Sequence, residues 1–75
     1  MDNITIQVGK NIRRSRQLRG LSQEQLAERA DLHRVYVGQV ERGEKCPSIL
    51  TLDKIAQALG VETGELLKRS CQNPR

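Results

Sequence analysis

The apolar residues of this chain recur at helical rather than strand spacing, and each run of them stops at a glycine: Leu18 precedes Gly20, Val40 precedes Gly43 and Leu59 precedes Gly60. Short periodic runs closed by residues that accept a left-handed conformation point to a cluster of short helices around a common core. Only ITIQV, residues 4 to 8, carries the β-branched alternation of a strand, and it is too short to found a sheet.

Five helices are predicted. The first runs from Thr5 to Leu18, with Val8 and Ile12 one turn apart on its inner face. Ser22 and Gln25 have the Ser-x-x-Gln form of a capping box and open a second helix from Gln23 to Ala30. The third spans Arg34 to Arg42, with His33 as a poor residue at its N-cap and Gly43 placed to end it. Ser48 caps a fourth helix whose inner stripe is Leu52, Ile55, Ala56 and Leu59. A last helix covers Thr63 to Arg69, after which residues 70–75 are expected to fray. No repeat, low-complexity stretch or linker divides the chain, so the expectation is one all-α domain over residues 1–75.

A chain of 75 residues can bury only a modest core. With 36% hydrophobic and 29% charged residues, and no apolar run near membrane-spanning length, it reads as soluble. The N-terminal MDNITIQVGKNIRR lacks the basic, apolar, small-residue order of a secretion signal, which predicts a cytoplasmic protein with no membrane partner. Cys46 and Cys71 stand far apart and form no CxxC, so reduced thiols are expected rather than a disulfide or zinc site. With one histidine, no carboxylate pair beside a base or nucleophile and no phosphate-cradling glycine loop, no catalytic site, cofactor or metal is predicted.

The formal charge of +4 favours an anionic partner, and its distribution is more telling. Lys10, Arg13, Arg14, Arg16 and Arg19 follow one another with no acid before Glu24. Tyr36 is the one aromatic residue, which argues against modules that stack rings on single-stranded nucleic acid or RNA. On a wheel of about 100° per residue, Val37, Val40 and Glu41 share one arc of the third helix, while Val35, Gly38, Gln39 and Arg42 share the other. Val35 therefore faces outward amid polar neighbours. Leu26 and Ala27, the corner Ala30-Asp31-Leu32, and then Val37 and Val40 fit two helices crossing steeply over a shared core, a helix-turn-helix at about residues 23–42 whose second helix would enter a DNA major groove.

The stretch GLSQEQLAERADLHRVYVGQVERGEKCPSILTLDKIAQALGV resembles the Cro and repressor type of helix-turn-helix regulators, the XRE family, above all in LSQEQLA, VERG, PS and LDKIAQALGV. The resemblance runs from about Gly9 to Leu67 and implies a five-helix, lambda-repressor-like domain that binds double-stranded DNA as a transcriptional regulator. Among its members, short chains with no added domain are phage Cro-like proteins or controller proteins of restriction-modification systems.

The resemblance implies that bases are read by His33, Arg34, Val35, Gly38 and Gln39. The side chains suit base recognition, since an arginine can donate twice to guanine, a glutamine can pair with an adenine edge, and a valine can press on a thymine methyl. Gly38 would leave room for close approach of the helix backbone. Phosphate contacts are expected from Gln23 at the start of the second helix, from Arg42 and Lys45, and from Arg13 or Arg14. Tyr36 serves either a phosphate hydrogen bond or packing. By the same resemblance Arg16 and Glu41 form a partly buried ion pair joining the first and third helices. Two departures stand out: Asp31 where the family usually has glycine, and Ser15 where it usually has an aliphatic residue.

Regulators of this type bind two half-sites about one turn apart, roughly 34 Å, which predicts a homodimer on a palindromic operator. Ile49, Leu50, Val61, Leu66 and Leu67 are the expected dimer surface, since they exceed what one small core needs. Contact with RNA polymerase, were the protein an activator, would fall to acidic residues such as Glu24 and Glu28. The alternative function on the same fold is a protein-interaction adaptor or antitoxin-like module, although the short tails offer no obvious toxin-binding segment.

Overall fold

In the computed structural model of the chain, which describes residues 3–69, Asn3 starts the first helix: its Oδ1 accepts the amide of Thr5 at 2.8 Å. That cap draws ITIQV into α1 (Ile4–Leu18), so the one strand-like stretch is helical. The described residues form four further helices and no strand: α2 (Gln23–Ala30), α3 (Arg34–Glu41), α4 (Ile49–Leu59) and α5 (Thr63–Leu66). Local hydrogen bonds fix where α2, α3 and α4 begin. Ser22 Oγ accepts from the Gln25 amide at 3.0 Å while Gln25 Oε1 accepts from the Ser22 amide at 2.8 Å, a closed capping box. Ser48 Oγ accepts from the Thr51 amide at 3.1 Å, and even His33 caps α3, its Nδ1 accepting from the Val35 amide at 3.4 Å.

Two helix ends differ from expectation. Arg42 is the cap of α3 rather than its last turn, because Gly43 turns the chain at φ 79°. α5 stops at Leu66 rather than Arg69, and Asn11 of α1 accounts for the exit: its Nδ2 donates to the carbonyls of Leu66 at 2.9 Å and Lys68 at 2.6 Å, so the freed acceptors are satisfied by α1. The fray expected over residues 70–75, and Cys71 with it, lie outside the described residues.

The core is built by one stripe from each helix. Ile12, Leu26, Val37, Val40, Ile55, Leu59 and Leu66 are the large side chains that lose essentially all contact with water. α1 comes unusually close to α3. A methyl group added at Gly9 would strike the carbonyl oxygen of Val40 and lie 2.7 Å from that of Glu41, so only glycine allows this approach. The corner between α2 and α3 turns at Asp31, the one described non-glycine residue with positive φ, at φ 58° and ψ 47°. Ser15 borders a cleft of about 340 Å³ between α1 and α5, and its hydroxyl accepts from Arg19 Nη1 at 3.0 Å. No helix among the described residues is long and apolar enough to cross a membrane.

Candidate nucleic-acid interface

The start of α2, the outer face of α3 and one arginine of α1 enclose a groove of about 470 Å³, lined by Arg16, Ser22, Gln23, Glu24, Arg34, Val35, Gly38 and Arg42. Its floor is a buried charge pair. Arg16 donates from Nε to Glu41 Oε2 at 2.7 Å, from Nη2 to Glu41 Oε1 at 3.0 Å, and from Nη1 to the Leu21 carbonyl at 2.8 Å. Glu41 is all but sealed, with 2% of its side chain exposed, and its Oε1 accepts a further hydrogen bond from Gln23 Nε2 at 2.9 Å. A buried ion pair is tolerable only when its remaining donors and acceptors are met, and here the bidentate fork, the carbonyl and the glutamine meet them. Arg16 and Glu41 thus tie α1 to α3, and Gln23 extends the tie to the mouth of the groove.

Above this floor stand Arg34 and Val35, both exposed, with Val35 at 54%. Gln39 is half-buried one turn beyond Val35 on the same side of α3. His33 spends Nδ1 on the cap, which leaves its Nε2 side for any outside acceptor. Arg34 has Glu24 of α2 nearby, with Nε to Oε2 at 3.9 Å and both side chains mostly in water.

Gly38 is largely covered at the groove, because the side chains of Gln23 and Arg42 lie across it: a methyl there would sit 3.2 Å from Arg42 Nη1 and 3.4 Å from Gln23 Oε1. The glycine makes room for two side chains of its own chain. Arg13 and Arg14 also separate. Arg13 is exposed on α1 three residues before Arg16, whereas Arg14 lines the cleft that α1 makes with α5, since adjacent helical residues point about 100° apart. Tyr36 is half-buried and packs against the core, and Lys45 is exposed in the loop after α3.

The loop supplies a residue that sequence reasoning missed. Glu44 accepts from Arg42 Nε at 2.8 Å and from Nη2 at 3.3 Å, a two-point pair on the surface. The hydrogen bonds and charge of Glu44 raise the pKa of Arg42, and the hydrogen bonds of Arg42 hold the Glu44 carboxyl below the usual carboxylate range. A spacing of two residues across a helix end carries no periodic signal, so nothing in the sequence marked this pair. Gly9 and Asn11 were missed for a related reason: their partners are Val40 and Leu66, far along the chain.

Ile49 and Leu50 are 83% and 78% exposed on the first turn of α4, and Leu67 is 44% exposed. Leu66 and Val61 do not join them. Leu66 is sealed in the core and Val61 packs partly buried against it, because α5 is folded back on α1 and α4.

The sequence profile of the helix-turn-helix family matches residues 12–66, the span from the inner face of α1 to the end of α5. The chain belongs to the helix-turn-helix transcriptional regulators of the XRE type. The control protein C.SmaI of Serratia marcescens is 45% identical over 62 residues, which cover 83% of this chain and 74% of that one. The restriction-modification controller protein C.AhdI of Aeromonas hydrophila superposes with a TM-score of 0.81 at 44% identity, covering 83% of this chain and 94% of its own. SinR, a master regulator for biofilm formation solved in complex with DNA, superposes with a TM-score of 0.78 at 34% identity, covering 81% of this chain and 98% of its own. The family is one of regulators and not of enzymes.

Proposed function

We propose that this helix-turn-helix protein is a cytoplasmic, sequence-specific transcriptional regulator that binds a palindromic double-stranded operator as a homodimer. The observation that carries this reading is the outward display of Arg34, Val35 and Gln39 on α3 beside the start of α2, with the two helices locked by the Arg16–Glu41–Gln23 network. In the major groove, Arg34 reads a guanine, Gln39 an adenine and Val35 a thymine methyl, while His33 offers Nε2 at the first turn. Gln23, Arg42, Lys45 and Arg13 contact phosphates and set the register. Ile49 and Leu50, with Leu67 at the margin, pair two copies so that two α3 helices reach half-sites roughly 34 Å apart. The likeness to C.SmaI and C.AhdI supports a restriction-modification controller in particular.

Selection from a random duplex library at two salt concentrations tests this reading. The expected product is an inverted repeat, with affinity that falls steeply as salt rises. Salt-sensitive binding without any recoverable sequence would sink it and favour a protein-interaction role.

A further inference from the structure

We propose that the cleft between α1 and α5 is a docking site for an acidic, partly apolar peptide segment of a second protein, separate from the DNA face. Its rim carries Arg14, Arg19 and Lys68 beside one carboxylate, Glu65, and its walls present the apolar surface of Leu18 and Val61. Among the described residues no carboxylate pairs with Arg14, Arg19 or Lys68. Arg19 is held at the rim by its Nη1, which donates to the hydroxyl and carbonyl oxygens of Ser15 at 3.0 and 3.3 Å, and these neutral acceptors leave its charge unbalanced. Three cations thus face the cleft without a counter-charge, two of them guanidinium groups shaped to take a carboxylate from a partner.

The cleft stands apart from both faces assigned above. Leu18 follows Gly9 by nine residues, which at about 100° per residue sets it half a turn round α1 from the glycine pressed on α3. Pro47 and Leu52, at the start of α4, share a small pocket with Ile4, Thr5 and Val8 of the N-terminal half of α1, whereas the cleft runs along the C-terminal half from Asn11 to Arg19. An occupant therefore leaves α3 and the exposed Ile49 and Leu50 uncovered. Shape and chemistry select that occupant. From Asn11 to Arg19 the cleft is about 12 Å long at 1.5 Å per residue, and it is open to solvent, so a small anion would stay largely in water. A phosphate backbone would meet the cations but gain nothing from Leu18, which is 78% exposed among them. A peptide that mixes carboxylates with leucine-sized side chains meets both, with its acids on the rim and its apolar groups against Leu18 and Val61.

The test is an NMR titration of the full chain, followed at its backbone amides, with a short blocked peptide of aspartates carrying two leucines. No DNA is present, so the outcome does not depend on the regulator reading. Shifts should centre on Asn11, Arg14, Ser15 and Lys68, and binding should weaken as salt rises. Arg19→Gln combined with Lys68→Gln should weaken binding about three- to twentyfold, as loss of two exposed ion pairs does. Arg29→Gln combined with Lys54→Gln makes the same change in net charge beside α2 and α4, and should weaken it less than about twofold. Leu18→Ser should weaken it about fivefold, the effect of leaving roughly 40 Å² of apolar surface uncovered. The side chains replaced are all exposed, so each variant should keep the parent's melting temperature. Equal losses in the two double variants, equal binding of a peptide with serine in place of leucine, or no shifts at all overturn the proposal. A separate titration with random duplex that shifts the cleft amides more than those of α3 assigns the cleft to phosphates and overturns it as well.

Discussion

Gly9 holds α1 against α3 by having no side chain, since any Cβ meets the carbonyls of Val40 and Glu41. Backbone cannot step aside as a flexible side chain can, so Gly9→Ala should cost about 1–3 kcal/mol, the range for overpacking a tight contact, read as a lower urea midpoint at unchanged slope. Gly20 has positive φ but nothing within 4 Å of an added Cβ, and Gly20→Ala should cost only its backbone strain, about 1 kcal/mol. Glu41 answers for more than one bond. Removing it leaves the Arg16 guanidinium buried without a counter-charge and strips Gln23 of its acceptor. Glu41→Ala should therefore destabilise the fold by about 3 kcal/mol in equilibrium unfolding, and a melting temperature equal to wild type would show that the pair contributes nothing.

At the scale of elements, the corner between α2 and α3 fixes how the two helices cross, and it turns on a residue other than glycine. Asp31 sits at φ 58°, which it tolerates better than most residues but less freely than glycine. Asp31→Gly should raise stability by about 0.5 kcal/mol, and Asp31→Val should lower it by about 1 kcal/mol or more, both from thermal unfolding. In the proposed complex α3 and its C-cap divide the labour. Arg34→Ala should cost about 1–3 kcal/mol on operator and relax preference at one base pair. Arg42→Ala should weaken all duplexes alike, as a phosphate contact does, and the two patterns are separated by measuring each variant on a panel of single-base operator changes. The caps of α2 and α4, the breaks at Gly43 and Gly60 and the apolar stripes were all legible in the sequence, because each depends on residues within one helical turn of one another. His33 as a working cap was not: its imidazole nitrogen reaches the Val35 amide, though at 3.4 Å it does so weakly.

For the whole molecule, the modest core and the two large aliphatic side chains left in water on α4 mean that the proposed pairing would support the fold as well as the function. Leu50→Asp should shift the chain to monomer in sedimentation equilibrium. Burial of one such side chain contributes about 1.5–3 kcal/mol, and a two-fold interface uses each residue twice. Operator affinity should fall with it while random-duplex affinity changes little. Near neighbours along the chain were enough to set the helix boundaries to within a few residues, the inward and outward arcs of α3, and the Ser22–Gln25 box, since all of these follow from the helical period and from hydrogen bonds inside one turn. The family resemblance went further, to the pairing of Arg16 with Glu41. It took the packing of remote helices to put Gly38 under Gln23 and Arg42, to turn Arg14 toward α5, to close the core with Leu66 and to end α5 on Asn11. Each of those outcomes depends on which distant element meets the residue, and a residue's own helical period says which way it points but not what it meets there.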